Sequence, residues 1–221
     1  MKRNKKEEEL SYQGLQRDFA EYARQSDVWF CNARSFKRTS ELLLKQQEVD
    51  DQGFEERREK LEKHVKAGGL VNDPLGIHPP ILRGTIAFSI AMAIELQLKA
   101  ILIAVSPMEL VTEYGLDGEI THHNIQKLVQ MVNSCRRDAI PLKGKTKLVD
   151  NKLLEKLKLI IEWGKYGFPK DPCEYRRFIE LDIGYENIGM VTLLNDEIGS
   201  CNELYDELDR FYRSIVYPSR L

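Results

Sequence analysis

The feature that most constrains this chain is a run of 20 residues from Ile86 to Val105, IAFSIAMAIELQLKAILIAV, in which 16 are apolar and Glu95 and Lys99 stand at the middle. A run of this length can span a bilayer as a helix. Each charge at the centre of a membrane helix, however, costs about 2.5–3.5 kcal/mol, which cancels most of the gain from the apolar residues. The run therefore reads as the buried core helix of a globular protein, apolar on every side because other elements surround it. Glu95 and Lys99 are spaced i,i+4 in the favoured orientation, so on a helix they can neutralise each other. Either they form a paired polar group inside the core, as a specificity device or part of a site, or Lys99 reaches out to solvent with Glu95 at the rim.

The remaining chain reads as helices. Between Leu10 and Gln47, Leu15, Phe19, Tyr22, Ala23, Trp29, Phe30, Ala33, Phe36, Leu43 and Leu44 recur at three-to-four spacing, which predicts one long helix or two with a break near Ser26. EVDDQGF breaks that pattern, and FEERREKLEKHVK reads as a short solvated helix. AGGLVNDPLGIHPPILRG reads as a surface connection. Further helices are expected over Thr85–Val105, Thr121–Arg137 with Thr121 as its cap, Asp150–Trp163, and Met190–Ile215. The last carries a stripe of Leu193, Leu194, Ile198, Leu204, Leu208 and Phe211. The only strand material is Tyr175–Ile183, where a helical turn fits equally well. The expected class is all-α, with a charged tail over 1–9, one helical domain over 10–221, and a charged insertion over 50–85.

Composition narrows the function classes. With 42% apolar and 31% charged residues the chain is globular, and 33 Lys and Arg against 35 Asp and Glu leave no basic excess to announce nucleic acid. Cys31, Cys135, Cys173 and Cys201 show no paired spacing, so they are expected to be reduced, buried thiols rather than zinc ligands. No apolar segment follows the charged MKRNKKEEEL, and a cytoplasmic protein is expected.

Charge is nonetheless uneven. Residues 136–177 carry 12 basic against 6 acidic residues, and 178–221 carry 3 against 9. The basic stretch, with Arg136, Arg137, Lys143, Lys145, Lys147, Lys152, Lys156 and Lys158, either follows a phosphate backbone or pairs with the acidic C-terminal helix. AIPLKGKT over 139–146 imitates a phosphate-binding loop, but Pro141 and the charged helix before it give the wrong context. His122 and His123 lie about 100° apart on a helix and cannot share a metal as an i,i+4 pair would. At a helix start, one of them suits a phosphate or a carboxylate such as Glu95, while the other faces solvent.

Taken in order, AFSIAMAIELQLKAILI, THHNIQKLV and EWGKYGFPKDP resemble the HEPN family. Its members often show a small-residue helix with Glu and then Leu-Lys-Ala, a Gly-His-x-Leu-x-x-Leu helix start, and an Arg-Tyr-Pro-type loop. The resemblance implies an up-and-down bundle of four to five main helices. It also implies a homodimer and RNA cleavage without metal or other cofactor, in toxin–antitoxin, abortive-infection or antiviral systems. On that resemblance His122, His123, Lys99 and Glu95 are the catalytic candidates. Arg136, Arg137, Lys143, Lys145, Lys147, Trp163, Lys165 and Tyr166 are the candidates for RNA contact. Active members carry an Arg and a His separated by four to six residues. Here Arg210 and Arg213 have no His after them, and the spacing recurs only from Arg57 or Arg58 to His64. The competing expectation is an inert helical subunit that binds a protein partner.

Overall fold

The computed structural model describes residues 5–68, 82–112, 114–136, 151–164 and 193–218. These form an all-α protein. Its helices are α1 (Lys5–Ala23), α2 (Ser26–Lys66), α3 (Arg83–Val105), α4 (Pro107–Leu110), α5 (Gly118–Thr121), α6 (Ile125–Arg136), α7 (Asn151–Gly164) and α8 (Asn195–Val216). The expected strand over Tyr175–Ile183 and the 139–146 loop lie outside the described residues. Strand pairing occurs instead in a two-stranded ribbon, β1 (Val111–Thr112) and β2 (Gly115–Leu116), antiparallel with Val111 opposite Leu116. Its turn needs Gly115, whose φ of +143° is open to glycine alone.

The helix α3 is the axis of the fold, packed by α2, α8, α7 and α6. Ile86, Ile90, Ile94, Leu98, Ile101 and Ile103 are all buried, and so are Ala87, Ala91 and Ala93, whose small side chains let neighbours approach from other sides. By length and composition α3 could cross a membrane, but 83% of its most apolar window is covered by other parts of the chain. Ser106 and Pro107 end it, as the sequence leads one to expect. At its start the Leu82 amide donates to Gln47 Oε1 at 2.6 Å, a cap supplied by α2 from 35 residues away.

Two sequence expectations are corrected in α1 and α2. The break near Ser26 is present, but the break at EVDDQGF is not: α2 runs 41 residues, about 60 Å, straight through it. Gly53 costs a helix only about 1 kcal/mol, and no proline interrupts the segment. A side-chain pair from Gln52 to Glu56 (3.2 Å) spans the glycine, and pairs from Gln47 to Asp51 (2.7 Å) and Arg58 to Glu55 (2.9 Å) support the turns before and after it. The charged segment is thus the solvated end of α2, and Arg57, Arg58 and His64 are exposed on it, far along the helix from the core. Among the α1 side chains that are described, from Tyr12 on, only Ala20 and Ala23 are buried, whereas Tyr12, Leu15, Phe19 and Tyr22 are exposed. The apolar recurrence there marks an outer face. Arg24 anchors the end of α1 by donating from Nε and Nη2 to the Val111 carbonyl at 3.1 and 3.0 Å.

α8 closes the bundle. Its buried face is Cys201, Leu204, Tyr205, Leu208 and Tyr212; of the expected stripe Leu193, Leu204 and Leu208 are buried, Ile198 and Phe211 pack half-buried against the core, and Leu194 is exposed. Tyr212 stacks on Phe30 at 4.3 Å and donates to Asp27 Oδ1 at 2.8 Å. Tyr217 donates to the same oxygen at 2.9 Å, so the end of α8 is tied to the start of α2.

Candidate functional site

Three elements meet at the Glu95 carboxylate. Helical spacing places Lys99 one turn on, and its Nζ donates to Glu95 Oε1 at 2.6 Å. His123 arrives from the connection between α5 and α6, its Nδ1 lying 2.8 Å from Oε2 and 3.0 Å from Oε1. A carboxylate beside an ammonium only accepts, so Nδ1 carries the proton and donates. From the start of α2, Trp29 covers the group, with Lys99 Nζ 6.0 Å from its ring centroid. The Trp29 indole N–H is held in turn by the Ala23 carbonyl at 2.9 Å.

Local sequence explains why His123 and not His122 takes this place. Asp117 caps the short α5 by accepting from the Glu119 amide at 2.7 Å, and α5 ends at Thr121. Asn124, rather than Thr121, caps α6: its Oδ1 accepts from the Lys127 amide at 3.1 Å and its carbonyl from Leu128 at 3.0 Å. His122 and His123 therefore stand in extended chain between two helices, where successive side chains point to opposite sides. His122 is exposed and makes no contact with Glu95. Buried Ile120 and Ile125 on either side pin the connection to the core and aim His123 inward.

Exposure sorts the roles. The side chains of Glu95 and Lys99 are 1% and 6% exposed, whereas His123 retains 27%. Among the three, only His123 meets the surface. With Nδ1 committed to Glu95, Nε2 is the basic nitrogen of the neutral ring, the arrangement by which a carboxylate orients a catalytic imidazole. Lys99 balances the buried carboxylate. Its ammonium is spent inside the core, which removes it as a stabiliser of substrate charge.

The basic candidates fare differently. The side chains of Arg136 and Trp163 lie outside the described residues, as do Arg137, Lys143, Lys145, Lys147, Lys165 and Tyr166. Lys156, read as part of a possible phosphate track, is buried and donates to both Glu197 oxygens at 2.8 and 2.6 Å. Glu197 also accepts from the Leu194 amide at 2.7 Å, closing the first turn of α8. For this lysine, pairing with the acidic C-terminal helix is the correct alternative. Beside this pair, burial, reinforced by Glu197 and opposed by Lys156, pushes the Cys201 thiol up to about 12. It is an inert core thiol, whereas Cys31 is exposed, against expectation.

Among the described residues no group of three His, Cys, Asp or Glu side chains could hold a metal ion. The fold and site together define an all-α protein with a carboxylate–imidazole pair set into its central helix. Comparison with protein-family models, curated proteins and solved structures found no match to this chain.

Proposed function

We propose that the chain is a HEPN-like helical bundle that acts on RNA in a prokaryotic defence or toxin–antitoxin system, as a cytoplasmic homodimer with His123 as its base. The observation that carries this reading is the 2.8 Å bond from His123 Nδ1 to the buried Glu95, which orients the ring. In the reaction Nε2 takes the proton of a ribose 2′-hydroxyl, and the 2′-oxygen bonds to the adjacent phosphorus. The bond to the 5′-oxygen breaks, that oxygen takes a proton from water, and the proton held on Nε2 returns to the solvent. The products are a 2′,3′-cyclic phosphate and a 5′-hydroxyl, and no metal takes part. Glu95 and Lys99 are positioning residues here.

Total RNA incubated with the protein in chelator tests this. His123→Asn keeps an amide N–H for Glu95 but has no base, so cleavage is lost while the melting temperature stays within a few degrees. His122→Ala retains cleavage. RNA left intact by the wild-type protein sinks the nuclease reading. A second reading, a catalytically inert subunit that binds a protein partner, is favoured by the absence of any His after position 123. On that reading the polar triad serves only to fix how α3, α2 and the α5–α6 connection pack.

A further inference from the structure

A cleft of about 560 Å³ opens between α2 and α8, away from the elements that carry His123. Its walls hold four cations and three carboxylates, and the pairing among them is uneven. Lys37 donates to Glu41 at 2.5 Å and Arg213 to Asp209 at 2.6 Å. Arg34 and Arg38, one helical turn apart on α2, pair with no carboxylate among the described residues, and Asp206 is the single acid left over. Arg34 and Arg213 both line the cleft and both sit against the Phe30 ring, with Cζ atoms 5.7 and 5.5 Å from its centroid. Such convergence of cations is favourable when an anion joins them.

A second observation comes from α8. Tyr205 lines the cleft, is 5% exposed, and its hydroxyl has no hydrogen-bond partner among the described residues. A buried hydroxyl left unpaired costs about 1–3 kcal/mol, and an acceptor entering the cleft removes that cost. Lys37 Nζ sits 5.7 Å from the same ring centroid.

We propose that this cleft takes a phosphodiester group of single-stranded RNA, held by the Arg34 and Arg38 guanidiniums with the Tyr205 hydroxyl as a further donor. This rests on the reading that the protein acts on RNA, and it names the surface that holds the strand. The planar fork of arginine suits phosphate oxygens, and two forks one turn apart span a single phosphate or two successive ones. Burial is also the leading cause that pushes the Tyr205 phenol well above its ordinary value, so it stays protonated and able to donate.

Anisotropy of a labelled single-stranded RNA 12-mer on the full chain, carrying His123→Asn to prevent cleavage, tests the proposal. Arg34→Gln with Arg38→Gln weakens binding by about tenfold or more and lowers the salt slope by roughly 1.4, as expected for two lost phosphate contacts. Asp206→Asn tightens binding. Tyr205→Phe weakens it by about fivefold while raising the melting temperature, a combination that a purely structural tyrosine would not produce. Unchanged affinity and slope in the arginine double variant overturn the cleft alone. So does equal competition by a polyglutamate peptide, which assigns the surface to an acidic protein segment. Failure of the parent protein to bind any RNA overturns both the cleft and the reading beneath it.

Discussion

Two Lys–Glu pairs, each with a buried lysine, are built differently. Glu95 and Lys99 belong to one helix, are sealed at 1% and 6% exposure, and share their carboxylate with His123. Lys156 and Glu197 join α7 to α8, and Glu197 keeps 23% of its side chain in solvent while closing a helix end. The first pair has no route to water if it is broken. The second can rehydrate its acid, so the same chemistry is expected to cost less when lost.

Breaking the sealed pair gives the largest expected effect. Glu95→Ala leaves the Lys99 ammonium buried without its acceptor and should lower unfolding free energy by about 3–5 kcal/mol in urea melts. Adding Lys99→Met should restore most of that loss, because an apolar side chain needs no partner there. A double variant as unstable as the sum of the singles would show that the two residues are not coupled. Lys156→Met is expected to cost less, about 1–2 kcal/mol, since Glu197 retains water and the Leu194 amide. If it matches Glu95→Ala, the contrast between the two sites fails.

Two smaller measurements sharpen the picture. Tyr212→Phe removes one of two tyrosines that donate to Asp27 and should cost about 1–1.5 kcal/mol, with Tyr217 still in place. The Cys201 thiol titrates from an ordinary 9.0 up to about 12. Because its folded value is raised, the unfolded chain loses this proton first as pH rises. Stability is therefore full below about pH 9 and falls between pH 9 and 12. In chemical denaturation across that range, Cys201→Ala should flatten part of the decline. Native-state labelling should reach Cys31 well before Cys201.

How much of the site could be read in advance follows from sequence distance. Glu95 and Lys99 are four residues apart, so helical periodicity alone predicts their contact, and a histidine near a helix start is a sound candidate for their carboxylate. Which histidine it is depends on the cap. Asn124 and Thr121 are both good caps, and packing of Ile120 and Ile125 on the core sets the cap of α6 three residues later, at Asn124, turning His122 out and His123 in. Lys156 and Glu197 are 41 residues apart, and no local pattern announces that a lysine in a basic stretch will be buried.

The same division holds for the fold. Composition and periodicity by themselves determined the all-α class, the core helix α3 and the helix end before Pro107, because each is set by neighbours within a few residues, and they left the break at Ser26 as one of two readings. Tertiary structure decided the continuity of α2 past Gly53, the exposure of Leu15, Phe19 and Tyr22, and the convergence of Arg34, Arg213 and Tyr205 on one cleft. An apolar side chain is buried only where another element arrives to cover it, and a charge is paired only where a distant partner is delivered. Both depend on contacts that close long loops of chain.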